Sequence, residues 1–330
     1  MTVATPELTI ALNRYDRHVP FFNGTVAAPT GIRLRALEIG ESSMYRDGSA
    51  RHERMMGELE FDIAEMSLSS FIMAVARDPD LPMVGIPVIP RRFFSVGQMY
   101  VGARSGVREP KDLIGRRVGL HAFQTTLSVL GKGDLKLDYG VPWETISWHC
   151  MRPELVPVDL GSDVSVQVIP KGADIGLMLC EGELDALISP QPRQSMLDRP
   201  TAYRRLFDDP RGEEVAYFRR HGFYPIMHLV VMRRDVAERF PELPRELMDT
   251  FEAAKRLAWT YYDDSNFSLL VDARNLLEEQ RATFGDDPWP FGLRANRKNL
   301  EQFIGYSHDQ RLIDAPFSPE RLLHPSTHDT

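Results

Sequence analysis

FDIAEMSLSSFIMAVARDPDLPMVGIPVI, residues 61–89, contains the strand, helix and strand from which the fold class of this chain can be inferred. Residues 61–66 are a predicted strand, residues 83–89 are an apolar run of strand length, and residues 68–77 between them are a predicted helix. Ser67 stands directly before that helix, at a position typical of an N-cap. A helix between two strands predicts parallel pairing of the strands within a layered α/β sheet.

The same alternation continues on both sides of this stretch. Residues 8–12 and 31–39 are predicted strands, and residues 51–59 are a predicted helix. Beyond residue 95 a second α/β unit follows, with a short helix opened by Pro110. Its further predicted elements are a strand at 117–121, a helix from 125, strands at 145–149, 164–169 and 184–189, and a helix at 173–181.

The chain ends in helices. A last apolar strand at 223–232 precedes helical patterns at 243–262, 266–284 and 296–313. This order predicts two α/β lobes, one formed by residues 1–98 and 222–330 and the other by residues 99–221, with C-terminal packing helices. Because ligands bind beyond the carboxyl ends of the strands in open α/β sheets, we expect a ligand cleft between the lobes.

Composition excludes several classes of function. The 330 residues are 43% hydrophobic and carry a net charge of −8, which argues against a nucleic-acid partner. Two cysteines and no HExxH or CxxC pattern argue against a disulfide framework or a zinc site. GxSxG, Walker and GxGxxG motifs are also missing.

No run reaches the roughly 18 apolar residues of a membrane span. The N-terminal residues lack the basic and apolar regions of a secretion signal, so we expect a cytoplasmic protein without a membrane partner. The sequence leaves open whether copies of the chain assemble into a homo-oligomer.

Two resemblances extend this interpretation. EPKDLIGRRVGLH, residues 109–121, resembles the start of the second lobe in type II periplasmic-binding-protein-like folds. YDRH at 15–18, FDIAEMSLSSFI at 61–72, VGIPVIPRRFF at 84–94 and HPST at 324–327 together resemble the 4,5-dihydroxyphthalate decarboxylase family. That second resemblance covers most of the chain, and it implies a lyase that removes one carboxylate from a dihydroxylated aromatic diacid in phthalate catabolism.

Polar residues at the predicted strand ends are the candidate site. Arginines are candidates for carboxylate binding, since a guanidinium pairs with a carboxylate through two hydrogen bonds. Of the pair at 91–92 we expect Arg92 to face the cleft, with Phe93 against the ring. The candidate substrate-binding residues are Tyr15, Arg17, Ser67, Ser69, Arg92, Phe93, Gln124, Thr125, Thr126, Arg193 and His228.

The candidate catalytic residues are His18, His121 and Asp16. One histidine would accept a phenolic proton and the other would protonate the ring, with help from Asp16. Phe21 and Phe22 would add apolar walls. Each candidate has a structural alternative, namely a helix cap for the hydroxyl residues, a surface position for Arg193 and a core position for the histidines.

This chemistry needs no organic cofactor, because the ring itself accepts the electrons of the breaking bond. A metal-free site is the first hypothesis, and a divalent metal on Asp16 and a histidine is the alternative. Two other functions stay open. The same cleft would serve a non-catalytic binding protein for a small aromatic or carboxylic acid, or an enzyme of another type on the same scaffold.

Overall fold

The computed structural model of the chain describes residues 5–40 and 51–330. Within these residues eleven strands are formed, namely β1 Glu7–Leu12, β2 Arg33–Glu38, β3 Ile63–Ser67, β4 Met83–Arg92, β5 Met99–Gly102, β6 Arg117–Leu120, β7 Ser147–Cys150, β8 Val166–Val168, β9 Ala186–Ile188, β10 Tyr203–Arg205 and β11 Ile226–Arg233. The α-helices of the same residues are α1 Val19–Phe22, α2 Arg51–Glu58, α3 Leu68–Arg77, α4 Thr126–Tyr139, α5 Ile175–Glu181, α6 Gln194–Leu197, α7 Pro210–His221, α8 Arg234–Arg239, α9 Leu243–Tyr261, α10 Ala273–Phe284 and α11 Leu293–Asp309.

The strands form two mixed sheets, which we call the sheets of the first and second lobe. The first has the order β2-β1-β3-β11-β4 and the second the order β10-β5-β9-β6-β7-β8. Most neighbours are parallel, while β11 is antiparallel to both its neighbours and β5 is antiparallel to β9 and β10. The predicted two-lobed α/β class is confirmed, whereas the predicted boundaries near residues 98 and 222 stay a prediction.

The expected parallel pairing within residues 61–89 was wrong in one respect. β3 and β4 run in the same direction, but β11 lies between them and pairs with both. β11 is buried over seven successive residues, as suits a central strand with both faces covered. The helix between β3 and β4 therefore fixes their direction, and a strand from much later in the chain separates them.

Local signals predicted most elements correctly, and two misses have clear causes. Residues 266–284 form a helix only over Ala273–Phe284, because the Asp264 side chain accepts from the backbone N–H of Asn266 and holds a turn there. The helix Pro210–His221 was missed. Its apolar residues are spread around the helix instead of lying on one face, so its sequence shows little helical periodicity.

The C-terminal helices pack on the first sheet and on the second lobe. Phe251 and Ala254 of α9 are buried beside the first sheet, and α11 packs against α3 and α4.

Both cysteines of the chain are buried and free. In the two described ranges, no helix has the length and apolarity needed to cross a bilayer.

Candidate functional site

A cavity of about 500 Å³ opens between the lobes, at the carboxyl ends of their parallel strands. The first lobe contributes polar lining from His52, Glu53, Ser67, Ser70, Arg91 and His228. The second lobe contributes polar lining from His121, Gln124, Thr125, Thr126, Ser128, Arg152, Ser189, Gln191 and Arg193. Apolar contacts come from both sides, with Phe93 on one and Leu187 and Ile188 on the other.

Strand geometry explains why residues distant in sequence meet here. Ser67 is the last residue of β3, and His121 and Ser189 directly follow β6 and β9. β3 is parallel to β1, and β9 is parallel to β6, so the carboxyl ends of these parallel strands share one edge of each sheet. The two edges face each other across the cavity, as the rule for open α/β sheets requires.

Two helices begin at the cavity. The side chains of the N-cap residues Ser67 and Thr125 do not cap their own helices α3 and α4. Instead Oγ of Ser67 lies 2.9 Å from Oγ1 of Thr126, and the N–H of Ser69 donates to the same Thr126 oxygen at 3.3 Å. The first turns of the helices are thus joined across the lobes, with their positive dipole ends near the cavity.

The described lining carries more positive than negative charge. It contains the three arginines Arg91, Arg152 and Arg193, and the single acid Glu53, which pairs with Arg152 at 2.5 Å. The Arg91 guanidinium lies 5.0 Å from the centre of the Phe93 ring. Among residues 5–40 and 51–330 it makes neither a hydrogen bond nor an ion pair, so it is open to a ligand carboxylate.

A buried carboxylate lies behind the cavity wall. Glu65 is fully buried in β3, and its Oε1 atom lies 2.5 Å from Nδ1 of His228. Its Oε2 atom lies 3.3 Å from Nη2 of Arg51, and the hydroxyl of Tyr15 donates to Oε1 at 3.4 Å. His52 completes the group, since its ring meets that of His228 edge to face at 4.9 Å.

The charges of this group can be assigned from their surroundings. Burial by itself would raise the pKa of Glu65, but the charge of Arg51 and the hydrogen bond from His228 hold it well below the usual range. Burial lowers the pKa of His228, with Glu65 offsetting only part of the effect. At neutral pH Glu65 is therefore ionised and His228 is a neutral imidazole.

Of the sequence-predicted site residues, eight line the cavity. They are Ser67, Phe93, His121, Gln124, Thr125, Thr126, Arg193 and His228. Gln124 also has a structural role, because with its amide oxygen turned towards residue 156 it accepts from the Val156 N–H at 2.7 Å. Six predicted residues lie outside the lining, namely Tyr15, Asp16, Arg17, His18, Ser69 and Arg92.

Asp16 and Arg17 join the first strand to the C-terminal part of the chain. The Arg17 guanidinium donates to the carbonyl of Pro90 and lies between the rings of Tyr15 and Trp289, at 4.3 and 4.5 Å from their centres. Asp16 accepts from Arg17 and from the Tyr262 hydroxyl, the latter at 2.6 Å. Their polar groups are used within the fold, which is why they do not reach the cavity.

His18 is a core histidine. Its Nδ1 atom lies 2.9 Å from the carbonyl oxygen of Asn13, and its ring packs against Phe21 and Phe251. Burial lowers its pKa to about 4, so the ring is neutral and Nδ1 donates to that carbonyl. Phe21 and Phe22 likewise pack within the first lobe, against the core cluster that includes α9, and do not line the cavity.

The arginine pair shows the reverse of the expected orientation. Arg91 lines the cavity, whereas Arg92 is buried and donates to the carbonyls of Tyr224 and Pro290 and to the Asn296 side chain. Burial lowers the pKa of Arg92 to about 9. Successive strand residues point to opposite faces, so only one of the two could face the cavity.

Sequence reasoning also missed residues of this site. Glu65 had a usable signal, since a carboxylate in the middle of an apolar strand must find buried partners. His52, Glu53 and Arg152 had none, because they come from a helix and a loop whose position depends on the tertiary fold. Among the residues described, no three His, Cys, Asp or Glu side chains come together in a way that could hold a metal ion.

Solved structures resemble this fold at low sequence identity. The periplasmic aliphatic sulphonate binding protein SsuA of Escherichia coli aligns over 96% of this chain and 91% of its own, with a TM-score of 0.54 and 14% identity. A periplasmic sulfonate-binding protein of Methylobacillus flagellatus aligns over 97% and 92%, with a TM-score of 0.58 and 14% identity. These similarities confirm the periplasmic-binding-protein fold.

A comparison with models of protein families gives no match. Two proteins named 4,5-dihydroxyphthalate decarboxylase are nevertheless similar in sequence. The 4,5-dihydroxyphthalate decarboxylase of Pseudomonas putida is 28% identical over 218 residues, which are 64% of this chain and 81% of that protein. The 4,5-dihydroxyphthalate decarboxylase of Comamonas testosteroni is 30% identical, and the alignment covers 97% of each chain. With that identity over nearly the whole length, the chain belongs to the 4,5-dihydroxyphthalate decarboxylase family.

Proposed function

We propose that this chain removes one carboxylate from 4,5-dihydroxyphthalate and releases protocatechuate and carbon dioxide. The activity named for its relatives supports this function. The observation that carries it in this molecule is the lining of the interlobe cavity, where three arginines and three histidines meet. The excess of positive charge suits a planar dianion, and the imidazoles supply groups that transfer protons near neutral pH.

The substrate's own electronic structure makes an organic cofactor unnecessary. Each carboxylate of 4,5-dihydroxyphthalate has a hydroxyl para to it. Removing the proton of that hydroxyl pushes electron density to the carbon that bears the carboxylate, which then takes a proton. Carbon dioxide leaves with its bonding electrons returned to the ring. The protein must supply a base, an acid and cations for the carboxylate that stays.

Residues of the cavity match these needs. Arg91 and Arg193 would hold the retained carboxylate, with the positive ends of α3 and α4 nearby. Phe93 would pack against the ring, and the apolar side of the second lobe would limit water around the departing carboxylate. His121 stays a candidate for proton transfer. The catalytic roles suggested by sequence for Asp16 and His18 have no support in the geometry of the cavity.

The domain boundaries, the ligand, the cellular location and the assembly state are further parts of the proposal. We propose residues 1–98 and 222–330 as one domain and residues 99–221 as the other, because strands of the first sheet lie at 7–92 and 226–233 and those of the second at 99–205. The small aromatic dicarboxylate would be the physiological ligand. A cytoplasmic location and a homo-oligomer stay predictions, which cell fractionation and light scattering would test.

Turnover at catalytic protein concentration tests the function. Purified protein at about one hundredth of the substrate concentration should convert all the 4,5-dihydroxyphthalate, with protocatechuate and carbon dioxide formed in equal amounts. Phthalate is the control, since without hydroxyls its ring offers no such electron sink and should stay intact. If the diacid binds but is recovered unchanged, the chain is a binding protein. Conversion without release of carbon dioxide would indicate an enzyme of another type.

A further inference from the structure

We propose that His228 is the catalytic base that removes the proton from the hydroxyl para to the departing carboxylate, and that Glu65 is the positioning residue that holds its ring. This inference rests on the proposed decarboxylation and assigns roles within that reaction. It differs from the sequence-based assignment, in which His228 was a substrate-binding residue and Glu65 had no role. Three features of the structure support it.

Strand pairing places the two residues on one face of the sheet. β3 and β11 are antiparallel, with His228 opposite Ser67 and Val230 opposite Glu65. Glu65 and His228 are thus diagonal neighbours on the same face, where side chains of this length can touch. Ser67 and His228 line the cavity, while Glu65 lies one pair deeper and is fully buried. The sheet therefore presents the imidazole to the cavity and the carboxylate to its back.

The hydrogen bond fixes the tautomer of the ring. An ionised carboxylate only accepts hydrogen bonds, so Nδ1 of His228 must carry the proton in its 2.5 Å contact with Glu65. The lone pair is then on Nε2, at the other edge of the ring. A carboxylate that orients a histidine in this way also stabilises the imidazolium that forms when Nε2 takes a proton.

The surrounding charges favour a base over a permanent cation. Arg51 from α2 neutralises Glu65, and Arg91 on β4 lies in register with His228. Burial lowers the pKa of His228, and the charges of both arginines lower it further. Among the residues described, further ionisable neighbours are Tyr15 and His18 near Glu65 and His52 beside the His228 ring. The imidazole is therefore neutral before substrate binds and able to accept a proton.

The proton balance of the reaction is simple. The hydroxyl proton moves from oxygen to Nε2 of His228, and the para carbon takes a proton from a second acid of the cavity, for which His52 and His121 are the candidates. When the bond to the carboxylate breaks, its electron pair returns to the ring and carbon dioxide leaves. The phenolate oxygen then recovers its proton from His228. One proton is consumed in each turnover, and solvent restores it to the second acid.

Replacing His228 by asparagine separates the hydrogen bond to Glu65 from the acceptance of a proton at Nε2. The asparagine amide can still donate to Glu65 from about the place of Nδ1, but no base stands in the place of Nε2. For His228→Asn we expect kcat to fall roughly 10²- to 10⁴-fold while KM changes by less than about threefold. The matched control is His221→Asn, since His221 is also buried and paired with a carboxylate, Asp138 at 2.9 Å, but does not line the cavity.

Alkaline recovery distinguishes a base from a merely structural residue. Above the pKa of its own phenol, the free substrate no longer needs a base. The kcat/KM of His228→Asn should therefore rise with pH across the titration of the free substrate, relative to the wild-type enzyme. A kcat within threefold of wild type, or a large loss with no alkaline recovery in a variant that still binds substrate, would overturn the role of His228.

Glu65→Gln tests the positioning role and is decisive if His228→Asn does not fold. Glu65 raises the pKa of His228, so its loss should move the acidic limb of the kcat/KM profile to lower pH and lower the plateau. An unchanged acidic limb contradicts the role of Glu65. Wild-type protein that does not convert 4,5-dihydroxyphthalate would instead refute the proposed function, so the two failures are distinguishable.

Discussion

Nδ1 of His228 lies 2.5 Å from Oε1 of Glu65, although 163 positions separate the two residues along the chain. Glu65 is on β3 in the first third of the sequence, and His228 follows the whole second lobe. Their contact forms only when β11 inserts between β3 and β4. The central strand that closes the first sheet thus also completes the group that we assign to proton transfer, which couples the site to correct assembly of both lobes.

Arg91→Gln should weaken substrate binding with little effect on stability. Arg91 lines the cavity and has no ion pair among the residues described, so its loss leaves no buried partner unsatisfied. A charged hydrogen bond to the substrate carboxylate is worth enough to raise KM roughly 10- to 100-fold. Steady-state kinetics and thermal melting of the same preparations measure both effects.

Arg92→Gln should show the opposite pattern and is the matched comparison. Its guanidinium donates to two carbonyls and the Asn296 side chain in the core, so truncation leaves buried acceptors without donors. We expect a loss of roughly 2 to 4 kcal/mol in the free energy of unfolding, with KM nearly unchanged. Equal effects of the two substitutions on KM would contradict the assignment of Arg91 to the cavity.

His18→Ala should lower stability and leave catalysis within about threefold of wild type. The substitution removes a buried ring and the donor to the Asn13 carbonyl, which costs roughly 1 to 3 kcal/mol. Urea denaturation gives the free energy, and kcat at a temperature where the variant is folded gives the activity. A loss of kcat comparable with that of His228→Asn would return His18 to the catalytic scheme.

The strands and helices and the directions of the strands could largely be predicted from the sequence. Which strands lie next to each other in the sheet could not. A short apolar run located β1, and a helical pattern after Ser67 located α3, because both depend on local burial patterns. The place of β11 in the sheet could not be predicted this way. Strand order depends on which long-range pairing buries the most apolar surface, and no local signal in residues 226–233 records that choice.

The same difference between local patterns and long-range pairing explains which residues of the site could be predicted. Residues placed by strand ends, such as His121 and Arg193, were found by the rule that parallel strands end at the ligand edge. That rule failed for residues 15–18, because the turn after β1 folds back onto α9 and the Pro90 carbonyl. It also could not choose between Arg91 and Arg92, since that choice depends on the pleat of β4 rather than on composition.

Asp134→Asn should change how stability depends on pH. Asp134 of α4 is buried between the lobes and accepts from Ser95 in the segment between β4 and β5 and from Tyr306 in α11. Burial raises its pKa to about 7, against an ordinary value near 4, with a further contribution from Asp138. Between these pH values the native state holds the proton that the unfolded chain releases, so the stability contribution of Asp134 falls as pH rises through this window.

Asparagine imitates the protonated acid and does not titrate. The melting temperature of Asp134→Asn, measured relative to wild type, should therefore increase between pH 5 and pH 8. Comparing the two proteins cancels the common effect of the other carboxylates. A difference that stays constant over this range would show that Asp134 keeps one protonation state, contrary to the shift that its burial implies.

Gly133→Ala should destabilise the contact between the lobes at α4 and α11. A methyl group on Gly133 would overlap the ring of Tyr306, which cannot simply rotate away because its hydroxyl donates to Asp134 at 3.0 Å. Overpacking of this kind costs roughly 1 to 3 kcal/mol, measurable by denaturant unfolding. Gly305→Ala in α11 is the control, since a methyl group there meets no atom within 4 Å and should be neutral or stabilise the helix by up to about 1 kcal/mol. If both glycines tolerate alanine equally, the close approach of α4 to Tyr306 does not exist in solution.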